Sequence, residues 1–181
     1  MVDRVPGPPQ PRTQFVRGRT IVIGLGNPIL GDDGVGWRVA DAVEALVGAA
    51  RLAERPMPDI DIERLGVGGL RLMECLTGYE TAILVDAAEF PDRPIGEVRS
   101  CSFDDLADYA AGHLDSAHDS SLRTALALGR GLGAALPSRI QAVTVQAHRT
   151  DEFGEELSPE VSAAVPEAAR IVVDLLAGGS R

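Results

Sequence analysis

The sequence predicts an α/β protein: a three-layer α/β/α sandwich around a mostly parallel sheet of about five strands. Three observations point there. Thr20–Gly26 (TIVIGLG) and Thr81–Phe90 (TAILVDAAEF) contain apolar runs with no polar alternation, as suits strands buried on both faces. Segments with apolar residues at three-to-four spacing separate the strands, the pattern of helices that cover a sheet. No internal repeat or linker interrupts residues 20–178, so residues 19–181 are expected to form one domain.

Each element has its own signal. Residues 1–18, rich in Pro and Arg and without an apolar core segment, read as a disordered extension and not a signal peptide. After the first strand, Val35, Val39, Val43 and Leu46 line one face of a helix, with Asp32 or Asp33 available as its N-cap. Asp59–Leu65 alternates and reads as the second strand; Gly68–Gly78 then gives a short helix stopped by glycine. The third strand, Thr81–Phe90, carries Asp86 at its C-terminal end, and Ile95–Phe103 is expected at a sheet edge. A helix over Ser121–Leu136 and a strand over Arg139–Ala147 follow. The last helix opens at Ser158-Pro159-Glu160, with Ser as cap, Pro at the first helical position and acid in the first turn, and runs to about Ala177.

Composition narrows the function. A net charge of −10 argues against nucleic acid or an anionic membrane as partner. There is no run of about 18 apolar residues to span a bilayer, and a cytoplasmic location is the expectation. Cys75 and Cys101 form no C-x-x-C pair and are expected reduced, within core-like elements.

The chemistry-bearing residues map to one edge. In open α/β sheets ligands bind beyond the carboxyl ends of the strands. Asp32 and Asp33 follow the first strand, Asp86 ends the third, and His113 and His118 lie just before a helix in HLDSAHDSSL. Carboxylates and an imidazole converging there would suit a cation, with oxygen and nitrogen donors and no thiolate. Taken singly, each residue has a plainer role: an N-cap for either Asp of the pair, a turn for Asp86, the surface for His113, His118 and His148. A dinucleotide site is a poor fit, because GLGNP lacks the third glycine and two carboxylates stand where pyrophosphate would lie.

Three stretches taken together, GLGNPILGDDGVGWRVADAV, LVDAAEF followed by GEV, and SAHDSSL ahead of a helix, resemble the hydrogenase maturation proteases over most of residues 20–178. Gly26, Asn27, Asp32 and Gly34 carry the first motif. The resemblance implies a phosphorylase/hydrolase-like fold with a twisted five-stranded sheet. It also implies an endopeptidase that removes the C-terminal extension of a nickel–iron hydrogenase large-subunit precursor. A divalent cation would be held by Asp33, Asp86 and His118, which are then also the expected catalytic residues. The nickel belongs to the substrate precursor, and a surrogate divalent cation can take its place. Cleavage is expected only after nickel insertion, by a monomer acting on the precursor. Many relatives have Glu where Asp33 stands. Several have a D-G-G-T segment after the second strand, where this chain reads ERLGVGGL with Leu65 in place of the acid and Glu63 nearby.

Two alternatives stand beside this reading. One is a non-catalytic relative that binds the metal or the precursor without cutting. The other is a peptidyl-tRNA-hydrolase-like esterase, which shares a strand followed by GLGNP; here the His and Asn expected after that motif are absent.

Overall fold

The computed structural model describes residues 18–66, 68–105 and 117–178, with the side chains of residues 117–121 outside that description. Of the expected extension over residues 1–18, only Gly18 falls among them; its N–H donates to a Glu80 carboxylate oxygen at 2.7 Å. The chain forms β1 (Thr20–Leu25), a 3-10 turn (Gly31–Gly34), α1 (Val35–Leu52), β2 (Ile60–Leu65) and α2 (Gly69–Leu76). It continues with β3 (Thr81–Ala88), β4 (Val98–Ser102), α3 (Ala117–Gly131), β5 (Arg139–Gln146) and α4 (Pro159–Leu176).

The five strands lie in the order β2-β1-β3-β5-β4. All neighbours are parallel except β4, which pairs antiparallel with β5 at the sheet edge, where its half-exposed sequence belongs. Side-chain alternation divides the core in two. Val22, Ile83, Val85, Val143 and Val145 face α1 and α4, whereas Ile21, Ile23, Leu84, Ile140 and Ala142 face α2 and α3. Both faces are buried over Ile21–Leu25 of β1 and Ala82–Val85 of β3, so these runs need no polar alternation.

Three local expectations shift. On α1, Leu46 is 45% exposed, and Val47 takes its place in the core beside Val43. Four residues from Val43, Val47 continues the buried stripe, while Leu46 falls outside it. α3 begins before Ser121 and stops at Gly131, short of Leu136; Gly133, with φ +78°, turns the chain out of the helix. Neither aspartate caps α1 through its side chain, because Gly34 occupies the N-cap position.

Candidate active site at the β1–β3 crevice

The strand order reverses direction between β1 and β3: the α1 crossover leads to β2 on one side, and the later chain builds outward on the other. Such a switch point leaves a crevice beyond the carboxyl ends of the two strands, because their following connections diverge. The turn after β1 enters it and lies against β3. α1 starts flush with both strand ends, since a Cβ on Gly36 would stand 2.2 Å from the Leu25 carbonyl oxygen and 2.6 Å from that of Val85. Asp33, three residues before Gly36, and Asp86, the residue after Val85, therefore flank the same crevice.

Asp33 is fixed locally. Its Oδ2 accepts the Asn27 backbone N–H at 2.6 Å, and its own N–H donates to the Leu30 carbonyl at 3.1 Å. Gly26 sits against it with φ +114°, and a Cβ there would come 1.8 Å from the Asp33 carbonyl oxygen. The Gly-Asn pair thus supplies a backbone conformation and a close approach that a side chain would block, plus a donor for the carboxylate. Asp86 is half-buried on β3, on the same face as Ala82 and Leu84, which is the face covered by α2 and α3. In register beside it comes Thr144 of β5, nearly buried, and beyond that Arg99 of β4.

Thr144 and Arg99 border a cavity of about 300 Å³, lined also by Phe90, Glu97 and Cys101 among others. There the Arg99 Nε donates to Glu97 at 2.8 Å, and that hydrogen bond is the main reason the Glu97 carboxyl is held below its ordinary range. Behind the row, Gln146 exchanges two hydrogen bonds with the Phe90 backbone, at 3.0 and 3.1 Å, and pins the segment leaving β3.

His118 lies in the first turn of α3, on the same sheet face as Asp86; its side chain and all of His113 lie outside the description. Among the described residues no group of three His, Cys, Asp or Glu side chains is arranged to hold a metal ion. Leu65 closes β2 at the same edge, where its carbonyl accepts the Gly26 N–H at 3.1 Å. Glu63 stands two residues back along the strand, about 7 Å away, and its charge bears on Cys75 of α2.

The two adjacent aspartates have different surroundings. Asp32 is fully buried, and its carboxylate accepts both the backbone N–H of Ser158, at 2.6 Å, and the Ser158 hydroxyl, at 2.9 Å. The expected helix cap is thus partly inverted. Ser158 does occupy the N-cap position of α4, but its hydroxyl donates to Asp32 and caps no helix N–H. His148, half-exposed, places Nδ1 3.5 Å from Asp32 Oδ2. Sequence spacing gave no means of pairing positions 32 and 158; the doubled Asp was the only signal that one of them had another role.

Comparison with known proteins places the chain in a family. The hydrogenase maturation protease family model matches residues 21–175. The hydrogenase expression/formation protein HupD of Thiocapsa roseopersicina is 25% identical over 157 residues, covering 87% of this chain and 67% of its own. HupD of Rhodobacter capsulatus is 27% identical, with 84% and 70% covered. The hydrogenase maturating endopeptidase HybD from Escherichia coli superposes with a TM-score of 0.72 at 24% identity, over 90% of this chain and 94% of that one, a likeness of fold. The [NiFe] hydrogenase maturation protease HybD from Thermococcus kodakarensis gives a TM-score of 0.62 at 27% identity, with 87% and 99% covered. With a family match across nearly all of the folded chain and a shared fold, this protein belongs to the hydrogenase maturation protease family.

Proposed function

We propose that this chain is an endopeptidase that removes the C-terminal extension of a nickel–iron hydrogenase large-subunit precursor once nickel has been inserted. In this reading Asp33, Asp86 and His118 recognise the substrate's nickel. The observation that carries the reading is the placement of Asp33 and Asp86 on either side of the β1–β3 crevice, on a chain of this family. Two carboxylates and an imidazole are an oxygen- and nitrogen-donor set suited to a borderline divalent ion. With three protein donors at most, such a site leaves coordination positions for the precursor's own ligands.

The substrate's nickel would fix the scissile peptide near the carboxylates and supply a Lewis acid there. The chain's own part is to orient. The Asn27 N–H holds the Asp33 carboxylate, Gly36 sets the turn against β3, and the cavity beside Thr144 offers space for the peptide flanking the cut. Ile29 and Phe153 offer the precursor an apolar contact at the rim. They are 49% and 86% exposed, on segments joined by a hydrogen bond from the Gly154 N–H to the Ile29 carbonyl.

The test is processing of a nickel-loaded precursor by the Asp33→Ala, Asp86→Ala and His118→Ala variants, each first shown to be folded by circular dichroism. Each is expected to lose at least about 100-fold in kcat/KM, the scale for removing an electrostatic group at a reacting centre. Normal processing by all three would exclude this site. Cadmium binding that needs all three residues, without any cleavage, would instead favour the non-catalytic relative.

A further inference from the structure

We infer that Asp32 is a positioning residue: its buried carboxylate, clamped to Ser158 at the start of α4, holds the 31–33 turn so that Asp33 faces the substrate's metal. This rests on the proposed role of Asp33 as a ligand. The turn is held from two directions. On the β1 side, Asn27 and Gly26 fix Asp33 itself, as described. On the other side the turn is tied to the β5–α4 connection. The Gly31 N–H donates to the Gly154 carbonyl at 2.7 Å and the Asp32 N–H to the Arg149 carbonyl at 3.0 Å. The Asp32 carboxylate takes both Ser158 donors.

Asp32 has no exposed surface, so it has no route to substrate and acts through its neighbour. A buried carboxylate is costly unless its lone pairs are used. Here the partners are charge-assisted donors at the N-terminus of α4, where the helix dipole also favours negative charge. Both carboxylate oxygens are thereby engaged by Ser158. Because Asp33 is the next residue, a displacement of Asp32 would be passed directly to its backbone. Sites of this kind lose function when a ligand is displaced by even an ångström or so, which makes a rigid support behind it consequential.

A merely structural contact would also be buried and hydrogen-bonded, so stability alone does not separate the two roles. Cadmium affinity of the intact chain does, measured by calorimetry at a temperature where each variant is folded by circular dichroism. Asp32→Ala is expected to weaken cadmium binding at least about tenfold while remaining folded. Asp32→Asn can keep the clamp, because its carbonyl oxygen accepts the Ser158 N–H and its amide donates to the Ser158 hydroxyl oxygen. It should stay within about threefold of the unaltered protein.

Ser158→Ala removes one of the two donors and should fall between. If Asp32→Ala does not fold, Ser158→Ala decides: binding weakened threefold or more supports the clamp, and unchanged affinity overturns it. Two other results overturn it: a folded Asp32→Ala that binds cadmium normally, or an Asp32→Asn that loses as much as Asp32→Ala, which would make the charge of Asp32 itself the functional feature. An unaltered protein that binds no cadmium would overturn the metal-site reading and the clamp together. Normal binding by the unaltered protein and by Asp32→Ala would remove the clamp alone.

Discussion

At Gly26 a single side chain would meet two obstacles, a φ of +114° and the Asp33 carbonyl 1.8 Å from any Cβ. Left-handed or otherwise sparse backbone conformations cost of order 1–3 kcal/mol for a non-glycine residue, before the clash is counted. Gly26→Ala is therefore expected to lower the urea midpoint by at least that equivalent and to weaken cadmium binding, because relief of the clash must move Asp33. An unchanged midpoint would mean that the turn is looser than described. The cysteines make a different kind of prediction. Burial, the largest influence, pushes the Cys75 thiol above its ordinary pKa, which lowers its thiolate fraction at neutral pH. Alkylation of Cys75 should be slower than that of an unstructured cysteine at pH 8 and should accelerate as the pH rises further. Rapid labelling at pH 7 in the folded protein would contradict this. Cys75 has no place in the proposed chemistry, and Cys75→Ser should process precursor normally.

Elements fail or hold by how their faces are covered. Ile83, at the centre of β3 and 1% exposed, packs into the α1–α4 layer. Ile83→Ala should cost about 2–5 kcal/mol, read as a fall in denaturation midpoint at unchanged m-value. The link between β2 and α1 is of another order. Arg64 donates to Asp41 and Glu44, both at 2.6 Å, but these partners are exposed. Arg64→Ala should cost no more than about 1 kcal/mol, and less in 1 M salt, where the Debye length shrinks to about 3 Å. Element existence was legible in the sequence because unalternated apolar runs and helical spacing are direct consequences of burial on two faces and on one. Element ends were less so. Gly131 and Gly133 both lie within the apolar pattern of Ser121–Leu136, and the backbone leaves the helix there although the hydrophobic residues continue into the core. The partner of Asp32 was not legible at all, since Ser158 is 126 residues away and is brought to it only when β5 places α4 beside α1.

For the whole molecule, topology explains why so few residues are needed at the proposed site. Reversal of strand order between β1 and β3 creates the crevice, and two short motifs at those strand ends place Asp33 and Asp86 there. The rest of the chain supports them, through a two-sided apolar core and through α4, whose N-terminus reaches back to Asp32. Among the described residues no helix is long and apolar enough to cross a membrane. The proposed function is cleavage of a hydrogenase large-subunit precursor only after nickel is in place. Its most direct test is to incubate the chain with nickel-loaded and nickel-free forms of one precursor and to follow the mass of the precursor's C-terminus. Loss of the extension from the loaded form alone is the predicted result. Equal loss from both forms would contradict nickel recognition, and no loss from a form confirmed to be loaded would contradict the assignment of that precursor as substrate.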